Sequence, residues 1–322
     1  MSYDYYYYLY YYFPTVLYMK VYHFEKKIDD AKMDKLKNTH VKKAQIHTII
    51  RDSADVYTKD GVLLLKFRKG VLKKNELDDY FDATYKYTIT NTSKNRGSAS
   101  GSKTKNINEN KPVSSTILGY FDKWAPNQKS YFRNFGMKLP VEVRETMFSY
   151  KFPEKMKKVL PLIKRIDGFY KKLLPKYHNK QYSKARQTQF KLGNTAFTTI
   201  TTNVNFRTSI HKDKGDDEDG FGNLAVIERG KYTGGETCFP QYGIGVDVRE
   251  GDMLFMNVHE WHGNLPTVNV TKDAVRMSIV CYLRTNIWKR TKNKTKKFKD
   301  SHFNTIKKMY KKLKKNRTRK KT

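Results

Sequence analysis

A histidine and an aspartate two residues apart, His211 and Asp213, could bind one metal ion together. Side chains two apart in a β-strand point to the same face, so a strand here would present both as neighbouring ligands. We predict such a strand, with a mostly apolar face at Phe206, Thr208 and Ile210. Its polar, inward-looking face would consist of Asn205, Arg207, Ser209, His211 and Asp213. For H-x-D taken alone, the alternative is a solvated turn ahead of the acidic run 216–219.

Two further histidines, His259 and His262, could supply the third ligand. They follow a Gly251-Asp252 turn and the predicted strand MLFMNV, 46 and 49 residues after Asp213. Two imidazoles and one carboxylate with open coordination positions form the facial triad of non-haem Fe(II) oxygenases. A structural zinc site would need four closed ligands, commonly including cysteine. The pattern therefore favours iron, and we expect no zinc.

Arg276 and Ser278 could hold a second ligand beside the iron. Arg276 lies 14 residues after His262 in the predicted strand RMSIVCYL, and Ser278 shares its face. A guanidinium binds a carboxylate through two parallel hydrogen bonds, and a nearby hydroxyl can add another. The pair would bind the distal carboxylate of 2-oxoglutarate while the keto-acid end chelates iron; alone, Arg276 would suit a salt bridge at the rim. Asn205 and Arg207 are candidates to contact substrate or co-substrate, with a buried polar network as the alternative.

The elements that must position these residues change character at about residue 187. Downstream, short β-branched and aromatic runs alternate with Gly-rich turns, which indicates an antiparallel sandwich or jelly roll. Upstream, spaced apolar residues predict helices at 75–87 and 152–177, and VLLLKF at 62–67 predicts a short buried strand. Residues 24–47 are predicted to be helical. The polar residues 88–113 predict a long loop, whose length indicates a functional or disordered segment.

We therefore predict an α+β fold with a mainly β catalytic core, a double-stranded β-helix (jelly roll) preceded by supporting helices. The layout begins with a Tyr-rich and then Lys-rich extension at 1–47. Helical support at 48–186 and the jelly roll at 187–288 would form one composite oxygenase domain, 48–288, because helices commonly cover one face of such a sheet. A basic tail at 289–322 holds 17 Lys and Arg residues against one acid, Asp300.

The charge balance predicts a polyanionic partner. Lys and Arg number 65 against 31 Asp and Glu, which gives a formal charge of +34. Such a field attracts nucleic acid through counterion release. The alternative is that many of the lysines are simply solvated, in a composition shaped by an AT-rich genome. For the tail, DNA binding competes with a role in nuclear localisation or solubility.

Cysteine usage and the N-terminal stretch bear on location. The two cysteines, Cys238 and Cys281, allow no disulfide framework and are expected to pack in the core, so we expect an intracellular protein. Residues 3–22 are mostly tyrosine and include Pro14 and Lys20, which suits neither a bilayer span nor a signal peptide. We expect no stable membrane insertion, with a weak interfacial anchor as the alternative.

Several stretches around the proposed ligands resemble one known family. NVNFRTSIHKDKGD, GFGNLAVIE, YTGGETCFPQYGIGVDVREGD and MNVHEWHGNLP are similar to the oxygenase domain of the Tet/JBP family. This family comprises the base J thymine hydroxylases of kinetoplastids and the ten-eleven-translocation methylcytosine dioxygenases. The resemblance is close over about 187–285 and extends more loosely upstream through VLLLKFRKGVL, NRGSASG and SSTILGYFD. The chain has no cysteine-rich zinc-binding region and no clear counterpart of the DNA-binding insert of the base J proteins.

The resemblance implies roles for individual residues. The family's H-x-D and R-x-S motifs fall on four residues already singled out: His211, Asp213, Arg276 and Ser278. Its distal histidine is commonly followed by a proline four residues later. That spacing matches His262 and Pro266, so we choose His262 over His259 as the third iron ligand.

The resemblance also implies an activity. The chain would be an Fe(II)- and 2-oxoglutarate-dependent dioxygenase that uses O₂ to hydroxylate the 5-methyl group of thymine or 5-methylcytosine in DNA. The target base would have to flip out of the duplex. The alternatives are hydroxylation of a protein or RNA group, and a catalytically silent jelly roll that only binds nucleic acid. A nuclear or viral-factory location would suit the leading interpretation.

Overall fold

In the computed structural model of the chain, the residues described are 19–102, 104, 106–124, 132, 134, 136 and 141–319. Residues 1–18, which make up most of the Tyr-rich stretch, lie outside the described residues. The prediction that this stretch is neither a bilayer span nor a signal peptide therefore lies outside them too. Within the described ranges, no helix has both the length and the apolar character needed to cross a membrane.

The described residues form fifteen strands and seven helices. The first strands are β1 (Lys20–Phe24), β2 (Thr48–Ile50), β3 (Ala54–Thr58), β4 (Leu63–Arg68), β5 (Ser115–Phe121), β6 (Arg144–Glu145) and β7 (Thr199–Val204). The later strands are β8 (Gly222–Arg229), β9 (Tyr232–Gly234), β10 (Thr237–Phe239), β11 (Ile244–Val246), β12 (Met253–Met256), β13 (Gly263–Asn264), β14 (Thr267–Asn269) and β15 (Val275–Tyr282). The helices are α1 (Asp30–Leu36), α2 (Lys74–Thr90), α3 (Met147–Lys151), α4 (Pro153–Leu173), α5 (Pro175–Arg186), α6 (Thr285–Thr291) and α7 (Lys296–Arg319).

Two sheets pack face to face. The larger has nine strands in the order β1-β3-β4-β12-β8-β15-β7-β5-β6, and the smaller has four in the order β13-β10-β11-β2. Side chains of both sheets, such as Leu254 and Ile244, meet in one buried apolar cluster. On the other face of the larger sheet, α2 and α4 pack through a second cluster that includes Tyr80 and Ile163. The predicted jelly roll with supporting helices is therefore confirmed.

The strand predicted across 205–213 is wrong. β7 ends at Val204, and Asn205 has a φ of +48°, in the left-handed region that strands do not use. The chain then runs irregularly to Asp213, with single bridges at Ser209 and His211. Asparagine adopts this conformation more readily than most residues, and hydrophobic periodicity does not reveal it.

Two helical predictions also change in the structure. The helix predicted at 152–177 is two helices, α4 and α5, which break at Leu174 because a residue before proline disfavours helical geometry. Residues 24–47 contain α1 and one 3₁₀ turn, Lys43–Gln45, rather than a continuous helix. The predicted helix at 75–87 and strand at 62–67 are present as α2 and β4.

The basic C-terminal segment is helical and packed. Side chains of α6 and α7, among them Ile287, Phe303, Ile306 and Met309, are buried in a cluster with Phe190. The opposite side of α7 carries exposed lysines. The segment up to this last apolar contact is therefore part of the packing of the domain.

Candidate metal and co-substrate site

A cavity of about 170 Å³ lies between the two sheets. One wall is formed by β7, β8, β12 and β15. The other is formed by β10 and β13 of the smaller sheet, by the irregular segment after β7 and by the turn after β12. The lining includes five residues singled out from the sequence: His211, Asp213, His262, Arg276 and Ser278. It also includes residues that the sequence did not single out, among them Arg96, Asp216, Asn264, Tyr282 and Arg284.

The structure brings His211, Asp213 and His262 together. One ligand atom from each lies within 4.8 Å of the others. The backbones of the two histidines exchange N–H···O hydrogen bonds, each 2.9 Å long. A further bond of 3.0 Å, from the N–H of Asp213 to the carbonyl of Val258, fixes the aspartate against the turn after β12. Two segments distant in sequence are therefore joined where the three side chains converge.

Both imidazole rings are oriented by backbone carbonyls. Nδ1 of His211 lies 2.7 Å from the carbonyl oxygen of Ser209, and Nδ1 of His262 lies 2.9 Å from that of Glu260. Because a carbonyl only accepts, each Nδ1 carries the proton, and Nε2 of a neutral ring keeps its lone pair. The two Nε2 atoms lie 3.4 Å and 3.9 Å from the carboxylate oxygens of Asp213. Such backbone contacts commonly orient histidines that bind metals.

Electrostatics keep two of these ligands in their metal-binding forms. Burial alone would raise the pKa of Asp213, but its hydrogen bond with His211 and the charges of the two histidines lower that pKa to about 2. Burial and the neighbouring charge of His211 lower the pKa of His262 to about 4. Burial would lower the pKa of His211 too, but the hydrogen bond and charge of Asp213 raise it. At neutral pH, Asp213 is a carboxylate and His262 a neutral imidazole, as metal binding requires.

His259 lies outside this cluster. Its backbone N–H donates to Oδ1 of Asn257 at 3.1 Å. Its Nε2 is buried and has no hydrogen-bond partner among the described residues. The geometry thus favours His262 as the partner of His211 and Asp213.

Arg276 is a buried cation that fits a carboxylate ligand. It lines the cavity with 6% of its surface exposed, and its Nε has no hydrogen-bond partner in the described part of the chain. Burial lowers the pKa of Arg276, but guanidinium groups stay protonated in proteins. A buried charge that lacks a hydrogen-bonded counter-ion costs free energy, so a carboxylate that enters the cavity would reduce this cost.

Gly235 makes room for this arginine. Its φ is +78°, and a Cβ at this position would lie 2.9 Å from both Cδ and Nε of Arg276. Such a distance is closer than real Cβ contacts allow. The side chain of Arg276 therefore occupies its place only because residue 235 has none.

Ser278 shares the cavity-facing side of β15 with Arg276, as predicted. The strand is held between β7 and β8, where Ser278 pairs with Asn203 and Val226. Its hydroxyl oxygen accepts a hydrogen bond of 3.4 Å from Nδ2 of Asn203. The hydroxyl proton of Ser278 is consequently available to a ligand beside Arg276.

The placement predicted for Asn205 and Arg207 is wrong, because neither lines the cavity. Asn205 is exposed, and its side chain caps the backbone of β15 by accepting from the N–H of Arg276 (2.7 Å) and donating to the carbonyl of Ala274 (3.1 Å). Arg207 donates from Nη2 to the carbonyl of Val41 at 2.9 Å. Their neighbours Phe206 and Thr208 line the cavity instead.

The positive φ of Asn205 explains this exchange. Before it, the odd positions 201 and 203 of β7 face the cavity; after it, the even positions 206 and 208 do. Strict alternation holds only within a strand. The available signal in the sequence was an asparagine at the end of a β-branched run. Such an asparagine is only a weak indication of a left-handed residue.

Two cavity residues missed from the sequence belong to ordered networks. Oδ1 of Asn264 accepts from both the N–H and the hydroxyl of Thr208 at 2.6 Å, which ties the irregular segment after β7 to β13. Arg284 donates from Nε to Oδ1 of Asp122 at 2.6 Å. Because these partners lie 56 and 162 residues apart in sequence, spacing could not identify them.

A family model matches about half of the chain. The model, Tet_JBP, is described as the oxygenase domain of the 2OGFeDO superfamily and matches residues 130–285. That range contains the three converging side chains as well as Arg276 and Ser278.

Two curated proteins show the same relationship. The bifunctional helicase and thymine dioxygenase JBP2 of Leishmania tarentolae is 34% identical over 176 residues, which cover 55% of this chain and 15% of that protein. Thymine dioxygenase JBP1 of Trypanosoma brucei brucei is 31% identical over 164 residues, which cover 50% of this chain and 19% of that protein. The match therefore spans less than a fifth of the length of these relatives.

Two solved structures show weaker likeness. One, described as NgTET1 in complex with 5mC DNA, has a TM-score of 0.48 and 15% identity, and the match covers 82% of this chain and 94% of that one. The viral collagen prolyl hydroxylase of Paramecium Bursaria Chlorella virus-1 has a TM-score of 0.30 and 14% identity, over 69% of this chain and 95% of that one.

Proposed function

Because the chain belongs to the Tet_JBP family of oxygenase domains, we propose that it is an Fe(II)- and 2-oxoglutarate-dependent dioxygenase that oxidises the 5-methyl group of thymine or 5-methylcytosine in DNA. One observation carries the proposal. Three side chains suited to iron line the same cavity as one buried arginine, whose Nε has no hydrogen-bond partner among the residues that the structure describes.

In this proposal, His211, Asp213 and His262 hold the iron through two Nε2 atoms and a carboxylate oxygen. Three protein ligands leave positions open for a bidentate co-substrate and O₂. When bound, iron with 2-oxoglutarate and O₂ supplies the oxidising power that converts a methyl group to a hydroxymethyl group.

Arg276 and Ser278 bind the distal carboxylate of 2-oxoglutarate in the same proposal. The guanidinium supplies parallel N–H donors and the serine a hydroxyl, both from one face of β15. Since β15 lies between two other strands, these donors are held rigidly. The protein thereby orients the co-substrate before the reaction begins.

The substrate proposal draws on the relatives and on access to the cavity. JBP2 and JBP1, the two relatives compared above, are both thymine dioxygenases. A base stacked in a duplex cannot enter a cavity between two sheets, so the target nucleotide must swing out of the helix. The NgTET1 structure is a complex with DNA that contains 5mC, so methylated cytosine is the second base to test.

The basic helix α7 supports DNA as the partner. Its single acid is Asp300, and one side of it exposes Lys297, Lys308, Lys311 and Lys312. Lysines on a docked helix bind phosphates without reading base sequence and hold the duplex against the domain. We also propose an intracellular location, in the nucleus or at a viral factory, where DNA would be the substrate.

The test is mass spectrometry of nucleosides from DNA incubated with the protein, Fe(II), ascorbate and 2-oxoglutarate. We expect 5-hydroxymethyl pyrimidines to appear together with at least an equal amount of succinate. Asp213→Asn should abolish both products and leave DNA affinity unchanged. A wild-type protein that binds iron and DNA but makes neither product would refute the dioxygenase proposal.

A further inference from the structure

Arg96 enters the cavity from outside the jelly roll. It lies in the long loop between α2 and β5, and its side chain lines the same cavity as the proposed iron ligands. It shares this lining with His211, Asp213 and His262, which places it beside the proposed iron site. No role for it follows from the H-x-D or R-x-S motifs.

The loop around Arg96 is held in place by hydrogen bonds. Ser93 and Val113 exchange backbone hydrogen bonds of 2.8 Å and 3.0 Å across its base. The carbonyl of Ala99 accepts a 2.8 Å bond from the N–H of Ser209, two residues before the first proposed ligand. These bonds fix the loop on both sides of Arg96. The hydrogen-bonded loop therefore holds Arg96 at the cavity.

Gly97 shows how closely this loop is packed. A Cβ at this position would lie 2.3 Å from Nδ2 of Asn110, a buried residue that donates to the carbonyl of Lys94 at 3.0 Å. Only glycine lets the chain pass Asn110 at this distance. The turn that carries Arg96 is therefore packed closely against Asn110.

Arg96 and Arg284 are cations of the same cavity with different surroundings. Arg284 is paired with Asp122 at 2.6 Å. Nε of Arg96, by contrast, is buried and has no hydrogen-bond partner among the described residues. The Arg96 guanidinium lies 5.8 Å from the centre of the Phe206 ring. A buried N–H donor without an acceptor costs free energy that a ligand oxygen would recover.

Arg96 and the proposed co-substrate residues reach the cavity from different elements. Arg276 and Ser278 face it from β15, whereas Arg96 enters it from the loop between α2 and β5. In the proposed function, Arg276 and Ser278 bind the carboxylate of 2-oxoglutarate. Arg96 is not needed for that role, which leaves its buried Nε–H for the substrate.

We propose that Arg96 is a substrate-binding residue that donates hydrogen bonds to an oxygen of the nucleotide brought to the iron. The inference rests on the proposed function. A guanidinium has N–H donors and no acceptor, so its partner must be an acceptor oxygen. A nucleotide offers two kinds, the exocyclic carbonyl of the pyrimidine and the phosphate oxygens.

The test compares Arg96→Ala, Arg96→Lys and wild type on an oligonucleotide with one target base. Removing a hydrogen bond from a charged donor predicts that Arg96→Ala lowers kcat/KM for the oligonucleotide roughly 10- to 100-fold. Arg96→Lys keeps the charge but not the planar fork, so its value should fall between the two. Lys94→Ala is the matched control, because it removes one charge from the same loop outside the cavity.

Two further measurements identify the partner of Arg96. Succinate formed without DNA reports the iron and 2-oxoglutarate sites, and we expect it to stay within about twofold of wild type in both variants. An oligonucleotide with neutral methylphosphonate groups beside the target base separates the two oxygen sources. If Arg96 binds phosphate, the defect of Arg96→Ala disappears on this substrate; if it binds the base, the defect persists.

Two results would overturn the inference. One is an unchanged kcat/KM in Arg96→Ala. The other is a parallel loss of DNA-independent succinate formation, which would indicate that Arg96 positions Asp213 rather than the substrate. If Arg96→Ala does not fold, Arg96→Lys carries the same comparison. A wild-type protein that makes succinate but oxidises no base would refute the proposed substrate instead.

Discussion

Substituting Gly235 by alanine should separate the binding of 2-oxoglutarate from that of iron. Gly235 lies beside Arg276, and the three heavy atoms nearest to a Cβ at this position belong to Arg276 and Thr267 rather than to a proposed iron ligand. A Cβ there would lie 2.9 Å from Cδ and Nε of Arg276 and 2.9 Å from Cγ2 of Thr267. Atoms at that distance must shift, and the end of the arginine side chain can move more readily than the strand.

The substitution has two separable costs. A left-handed conformation costs a non-glycine residue about 1–2 kcal/mol, which lowers the Tm of a domain of this size by about 2–8 °C. Displacing the guanidinium removes charge-assisted hydrogen bonds worth about 1.5–3 kcal/mol, which should raise the KM for 2-oxoglutarate roughly 10- to 100-fold. The iron affinity should not change.

Gly61→Ala provides a matched control. Gly61 has a φ of +82°, close to the +78° of Gly235, but no heavy atom of the described residues lies within 4 Å of the position that a Cβ would take there. Both variants should therefore lose similar stability, measured by thermal melting, while only Gly235→Ala changes the KM for 2-oxoglutarate in a succinate assay. An equal KM in the two variants would refute the role assigned to Arg276.

Three other predictions follow from the site and from α7. His262→Ala should abolish stoichiometric Fe(II) binding, whereas His259→Ala should leave it intact; equal iron content after dialysis would contradict the choice of ligand. Arg276→Lys should raise the KM for 2-oxoglutarate roughly 10- to 100-fold in the succinate assay, because lysine lacks the planar fork, and an unchanged KM would exclude bidentate binding. Replacing Lys297, Lys308, Lys311 and Lys312 by glutamine should flatten the salt dependence of DNA binding by up to about 0.9 in log–log slope for each phosphate that is no longer neutralised. Fluorescence anisotropy measures this, and an equal effect from glutamine at four exposed lysines of α4, Lys157, Lys158, Lys171 and Lys172, would show that α7 has no special role.

Point substitutions are the right test of the basic segment because of how α7 packs. Its buried side, with Phe303, Ile306 and Met309, contributes to an apolar cluster of the domain. Deleting 289–322 would expose that cluster and lower stability. A loss of DNA binding in the truncated protein would then not distinguish charge from folding.

The site residues that could be predicted from the sequence are those separated by a short, regular spacing. Arg276 and Ser278 share a face because β15 is a regular strand with period two. His211 and Asp213 do converge with His262, but the predicted reason was wrong. They lie on an irregular segment, and backbone hydrogen bonds bring them together.

What the sequence did not predict depends on single backbone angles and on long-range contacts. The left-handed Asn205 moved Phe206 and Thr208 into the cavity and turned Arg207 away from it. Arg96 reaches the cavity through a loop whose supports are scattered over more than a hundred residues. The apolar side of α7 was hidden among its lysines, although its spacing of buried residues is helical.

The paired backbones of His211 and His262 make the metal site a cross-link of the fold. An ion bound there would join the segment after β7 to the turn after β12, across 51 residues of chain, as a covalent bridge does in a secreted protein. Local opening that separates the two histidines would require loss of the ion, so metal binding should slow that opening. Amide hydrogen exchange at these two positions would thus report the occupancy of the site directly, without substrate and without turnover.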